Sequence, residues 1–112
     1  LKYALIDTIN LVKGKNINYI SSKKFDFVKI AFVLNHYGDL TANQINFYIS
    51  KAFKCPWMNS QRVGALINSR PHIFSYYWED SVKVYSFYGD IILNRTTQAN
   101  WSKKLSSFDD LD

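Results

Sequence analysis

Between Asp39 and Glu79 the chain carries no acidic residue, while Lys51, Lys54, Arg62 and Arg70 all fall inside that stretch. A surface drawn from it can approach phosphate groups without like-charge repulsion. The whole chain leans the same way, with fourteen Lys plus Arg against nine Asp plus Glu, a formal +5. Three of those nine acids, Asp109, Asp110 and Asp112, crowd the last residues, so residues 1–108 hold fourteen bases against six acids, or +8. The competing account is compositional, since an Asn- and Lys-rich chain produces acid-free stretches by chance.

Catalytic and metal chemistry lack their usual groupings. His36 and His72 each lie next to apolar residues and not beside a carboxylate or a cysteine. Asp7, Asp26, Asp39 and Asp90 are scattered without the close spacing of a two-metal site or an acid and base pair. No P-loop, GxSxG, HExxH or GxGxxG pattern occurs. Cys55 is the single cysteine, so an internal disulfide is excluded and a structural zinc site lacks ligands. The expectation is a non-enzymatic, intracellular protein that needs neither cofactor nor metal.

Positioning such a basic surface falls to one domain. A chain of 112 residues and 13.1 kDa has room for a single core, and 47% apolar with 21% charged residues is the balance of a folded protein. Eight Phe, eight Tyr and three Trp can close that core without disulfides. The longest apolar run, Ile30 to Leu34, is far below the roughly 18–20 residues of a bilayer crossing, so no membrane partner is expected. Leu1 opens a mixed stretch without a secretory signal, and its place at the head of the chain reads as a trimmed or partial sequence.

Hydrophobic spacing places the elements. Leu1, Leu5, Ile9 and Val12 predict an amphipathic helix over 1–14. A second helix is expected after Ser21 or Ser22, with Phe25, Val28, Ala31 and Phe32 along one side and Gly38 just past its end. Thr41 and Gln44 have capping-box spacing, and Leu40 can staple to Ile45, so a helix begins at Ala42. Its stripe is Ile45, Tyr48, Ile49, Ala52 and Phe53, and Pro56 stops it. Asn59 or Ser60 caps the next helix, which turns Val63, Leu66 and Ile67 inward and ends before Pro71. Two aromatic and β-branched runs, Ile73 to Trp78 and Val82 to Tyr88, flank Glu79-Asp80-Ser81 and read as an antiparallel hairpin. Both of its faces carry large residues, which leaves the buried side open. Trp101, Leu105 and Phe108 form a weak stripe for a helix over about 97–108.

This order, helix, short connection with Leu40, helix, helix, hairpin, resembles the winged helix-turn-helix superfamily over roughly Ser22 to Tyr88. The resemblance implies an α+β, mainly α fold in one domain over residues 1–112. A three-helix core and a β-hairpin wing occupy about 22–88, with flanking N- and C-terminal helices. It implies that the helix over 60–69 enters the major groove of double-stranded DNA with Gln61, Arg62, Ala65, Asn68 and Ser69 toward the bases. Arg pairs in bidentate fashion with guanine, and Gln or Asn with adenine. Thr41, Asn43, Lys51, Lys54, Ser60, Arg70 and Lys83 become the backbone contacts.

Plainer roles compete at several of these positions. Gln, Asn and Ser are what any solvent-facing helix shows, and helix capping competes with phosphate binding at Thr41, Asn43 and Gln44. Tyr76, Tyr77 and Trp78 can stack on bases, but in so small a domain they are expected to complete the core beneath the hairpin. Trp57 is expected to plug the space between helices. Glu79 and Asp80 depart from a basic wing tip and leave the wing flank as its contact.

The implied function is sequence-specific binding of double-stranded DNA by a transcriptional regulator, in the cytoplasm at the nucleoid or in the nucleus. The stripes over 1–12 and 101–108 imply a homodimer through the flanking helices, or else docking of both stripes on their own domain. Two alternatives remain: a winged helix used for protein contact through its aromatic hairpin, and the recognition piece of a nuclease or replication protein.

Overall fold

The computed structural model describes residues 26–89 and 95–107. The helix expected over 1–14, the start of the helix expected after Ser21 or Ser22, and Phe108 lie outside the described residues.

Helix α1 (Asp26–Tyr37) runs through the middle of the domain, and every residue from Asp26 to Leu34 is buried. This corrects the expectation of a one-sided stripe. A helix covered on all sides needs neighbours all round, and α1 packs against the next two helices and the middle strand of the sheet. It ends at Gly38, whose φ of 94° is open to a residue without a Cβ and whose N–H donates to the Leu34 carbonyl at 2.8 Å.

Helix α2 (Ala42–Ala52) begins at the expected capping box. Thr41 Oγ1 accepts from the Gln44 N–H at 3.2 Å, and the Thr41 N–H donates to Gln44 Oε1 at 2.9 Å. Ile45, Ile49, Ala52 and Phe53 are buried, and Tyr48 is half-buried. Lys54, at φ 52°, turns the chain away before Pro56 is reached. Helix α3 (Ser60–Asn68) is capped by Asn59, whose Oδ1 accepts from the Arg62 N–H at 2.8 Å. It buries Val63 and Ile67 and half-buries Leu66.

Strands β2 (Phe74–Glu79) and β3 (Val82–Phe87) form the hairpin, in register from Phe74 opposite Phe87 to Glu79 opposite Val82. Only Asp80 and Ser81 lie between them, both at positive φ (51° and 66°), the geometry of a tight turn whose twist matches the strands. A third strand, β1 (Leu40–Thr41), pairs antiparallel with β3 through Leu40 opposite Tyr85 and Thr41 opposite Val84. The expected plain connection is therefore the edge of a sheet in the order β1-β3-β2.

Helix α4 (Arg95–Ser106) closes the core. Trp101 and Leu105 are fully buried, and the Trp101 ring meets Phe32 and Phe53 edge-on at 5.3 and 5.0 Å. Tyr37 adds a hydroxyl hydrogen bond to the Leu105 carbonyl at 2.8 Å and stacks on Tyr48 at 4.2 Å. Trp101 and Leu105 of the α4 stripe thus dock on their own domain, the alternative to a dimer contact for these two residues. The described residues make a small, mainly helical α+β domain of four helices and a three-stranded antiparallel sheet.

Candidate nucleic-acid interface

The outward edge of α3 follows from its buried one. With Val63 and Ile67 in the core, Gln61, Ala65, Asn68 and Ser69 stand exposed. Ser60 donates its hydroxyl to Asn43 Oδ1, which joins the first turns of α3 and α2. That pair occupies two groups expected to contact a DNA backbone. Thr41 is likewise engaged in its cap.

Arg62 behaves differently from its neighbours on α3. Its guanidinium donates from Nε and Nη2 to Asp26 Oδ2 at 3.2 and 2.9 Å, and its side chain is only 34% exposed. Asp26 is wholly buried, and a buried carboxylate persists only when its charge and lone pairs are met. Trp57 Nε1 donates to the same oxygen at 2.8 Å, and Lys29 Nζ reaches Oδ1 at 3.0 Å. Arg62 therefore ties α3 to α1, where the sequence pattern leaves it among the base-facing residues. Trp57 is half-buried in this network, between α1 and α3 as expected of a plug. The hub at Asp26 escaped the sequence reading. Its signal is the pair Asp26 and Lys29, one helical turn apart inside an otherwise apolar run.

Cys55 lies beside this network as a buried thiol, with Lys29 Nζ 3.6 Å from its Sγ. Burial pushes its thiol up, and the Lys29 charge only partly opposes that shift. A thiol kept protonated is a poor nucleophile. His36 and His72 are exposed, His36 resting edge-on against Tyr37 at 4.6 Å. Among the described residues no group of three His, Cys, Asp or Glu is placed to hold a metal ion, and no helix is long and apolar enough to cross a membrane.

The other cations expected at a DNA backbone divide into two kinds. Lys51 and Lys54 are exposed at the end of α2. Arg70 is half-buried, its guanidinium 4.0 Å above the Phe27 ring and its Nη1 donating to Ser69 Oγ at 2.9 Å. Burial lowers the Arg70 pKa, though a guanidinium stays charged near neutrality. Lys83 lies 4.0 Å from the centre of the Tyr76 ring.

The hairpin has two unlike faces, set by strand alternation. Phe74, Tyr76 and Trp78 share one with Phe87, Tyr85 and Lys83. Its inner end is core, with Phe74 and Tyr85 buried, and a Cβ added at Gly64 of α3 would lie 3.4 Å from the Tyr85 hydroxyl. This is the α3 side. Tyr77 and Glu79 lie on the opposite face, where Tyr77 donates to Asp39 Oδ2 at 3.1 Å. Tyr76, Tyr77 and Trp78 are 52, 41 and 64% exposed, which corrects the expectation that they complete the core. Only Phe74, at the inner end of β2, lies in the core; the rest of the strand is exposed.

Comparison with protein-family models, curated proteins and solved structures finds no match to this chain.

Proposed function

We propose that this chain is a winged-helix domain that binds double-stranded DNA, with α3 in the major groove and the β2–β3 hairpin as its wing. The observation that carries the reading is the combination of β1 joined to β3 beside the hairpin with the exposed edge of α3 at Gln61, Ala65, Asn68 and Ser69. A helix that buries one edge against its domain and presents amides on the other can offer bidentate partners to adenine in the major groove. Arg62 joins that helix to α1 through Asp26. Lys51, Lys54 and the formal +5 charge supply the attraction to phosphates.

A role in transcriptional regulation at the nucleoid or in the nucleus belongs to this same proposal. A homodimer through the flanking helices belongs to it too; the stripe over 1–12 and Phe108 lie outside the described residues. The exposed hairpin aromatics favour one second reading, contact with a protein partner in a larger assembly.

Fluorescence anisotropy on mixed-sequence duplex across a salt series tests the proposal. The expected log K against log salt falls with a slope of about 0.9 per phosphate neutralised. A selection from random duplexes is expected to enrich a motif. Weak binding with no enriched motif overturns sequence reading and favours the protein-contact role.

A further inference from the structure

The α3 side of the hairpin carries exposed rings beside a cation. Trp78 is the most exposed of the large hydrophobic residues among those described, at 64%. Tyr76 and Trp78 meet edge to face at 6.5 Å, Tyr76 meets the buried Tyr85 at 6.4 Å, and Lys83 is paired across from Trp78. Rings therefore lead from the core out to solvent with a cation beside them. A groove of about 340 Å³, lined by Ile67, Asn68, Pro71, Phe74, Ser75 and Tyr76, connects this platform to the C-terminal end of α3.

Charge selects the occupant. Glu79 lies on the other face of the hairpin, and Asp39 is bound there to Tyr77, so the α3 side pairs exposed rings with Lys83. A ligand that is flat, aromatic and anionic fits that side and is repelled from the other; a nucleotide meets all three conditions. Within a duplex each base is stacked on its neighbours and presents only its edges. Away from a duplex end, an exposed ring gains stacking from a base with a free face, and every base of an unpaired strand can offer one.

We propose that Trp78, supported by Tyr76 and Lys83, is a stacking platform for an unpaired nucleobase, and that the preferred ligand is a duplex carrying a single-stranded extension. This rests on the duplex-binding reading above and specifies its substrate class. Trp78 supplies the ring face, Tyr76 backs it at the edge with one face already under Lys83, and Lys83 meets the adjoining phosphate.

The test compares three DNAs by anisotropy at fixed salt: a blunt duplex, the same duplex with a short overhang, and the overhang strand alone. The first unpaired position carries 2-aminopurine, whose fluorescence drops when it stacks on an aromatic ring. The expected result is roughly tenfold tighter binding of the overhang duplex than of the blunt one, with quenching on binding. Trp78→Ala is expected to erase both the affinity ratio and the quenching, and Trp78→Phe to retain them; circular dichroism checks that each variant folds. Equal affinity for blunt and overhang duplexes without quenching overturns the platform, and if blunt binding still depends on Asn68 the duplex reading survives it. Quenching by the single strand with no affinity for either duplex keeps stacking on Trp78 but overturns both the overhang-duplex preference and the duplex reading. No binding to any of the three overturns both.

Discussion

Arg62 Nη2 lies 2.9 Å from Asp26 Oδ2, across the junction of α3 and α1. Helix α3 and the central helix are thereby joined by a charge pair whose acidic member is wholly buried. An exposed ion pair contributes little, but a buried carboxylate stripped of its partners is costly, as are buried cations stripped of their carboxylate.

Asp26→Ala leaves Lys29 and Arg62 without that carboxylate, and the expected loss is about 3–5 kcal/mol in urea unfolding. Arg62→Ala costs less, because Lys29 and Trp57 still serve Asp26. A double-mutant cycle between Asp26 and Arg62 is expected to give a coupling of about 0.5–3 kcal/mol. A coupling of zero would show that the ion pair does not hold the two helices together.

Trp101→Ala removes the ring that fills the space between Phe32 and Phe53. The expected cost is about 3–5 kcal/mol, with no change in the oligomeric state seen by light scattering. A shift in association accompanying the drop in stability would give α4 a part in a dimer contact.

Gln61→Ala and Asn68→Ala are expected to relax sequence preference, each removing about 1–3 kcal/mol of discrimination at the base its amide pairs with. Lys54→Ala is expected instead to weaken all duplexes alike and to lower the salt slope by about 1. Competition binding against point-mutated sites separates the two patterns. Identical effects from the amide and the lysine variants would remove base reading from α3.

Cys55 is expected to resist alkylation in the native protein at pH 8 and to react at the rate of an unhindered thiol in urea, followed by mass spectrometry. Its folded pKa is raised, so the unfolded chain gives up the thiol proton first as pH climbs. Above the ordinary thiol pKa the unfolded state binds fewer protons than the native one, and stability contributed by the protonated thiol falls with rising pH. Fast native labelling would contradict the buried, protonated thiol.

Local chemistry alone determined much of this protein. The Thr41 and Gln44 capping box, the Asn59 cap, Gly38 at the end of α1 and the hairpin around Asp80-Ser81 stand where the sequence puts them, because each depends on residues within a few positions of one another. The outward placement of Gln61, Ala65, Asn68 and Ser69 follows from the spacing of Val63 and Ile67 in the same way. Tertiary structure decided the rest. Strand β1 is two residues long and exists only because β3 lies beside it. The hub at Asp26 draws on Trp57 and Arg62, 31 and 36 positions away along the chain. Trp101 is core and Trp78 is surface although both are tryptophans in mixed surroundings, since burial is set by which element arrives opposite a side chain, and residue type does not specify that arrival.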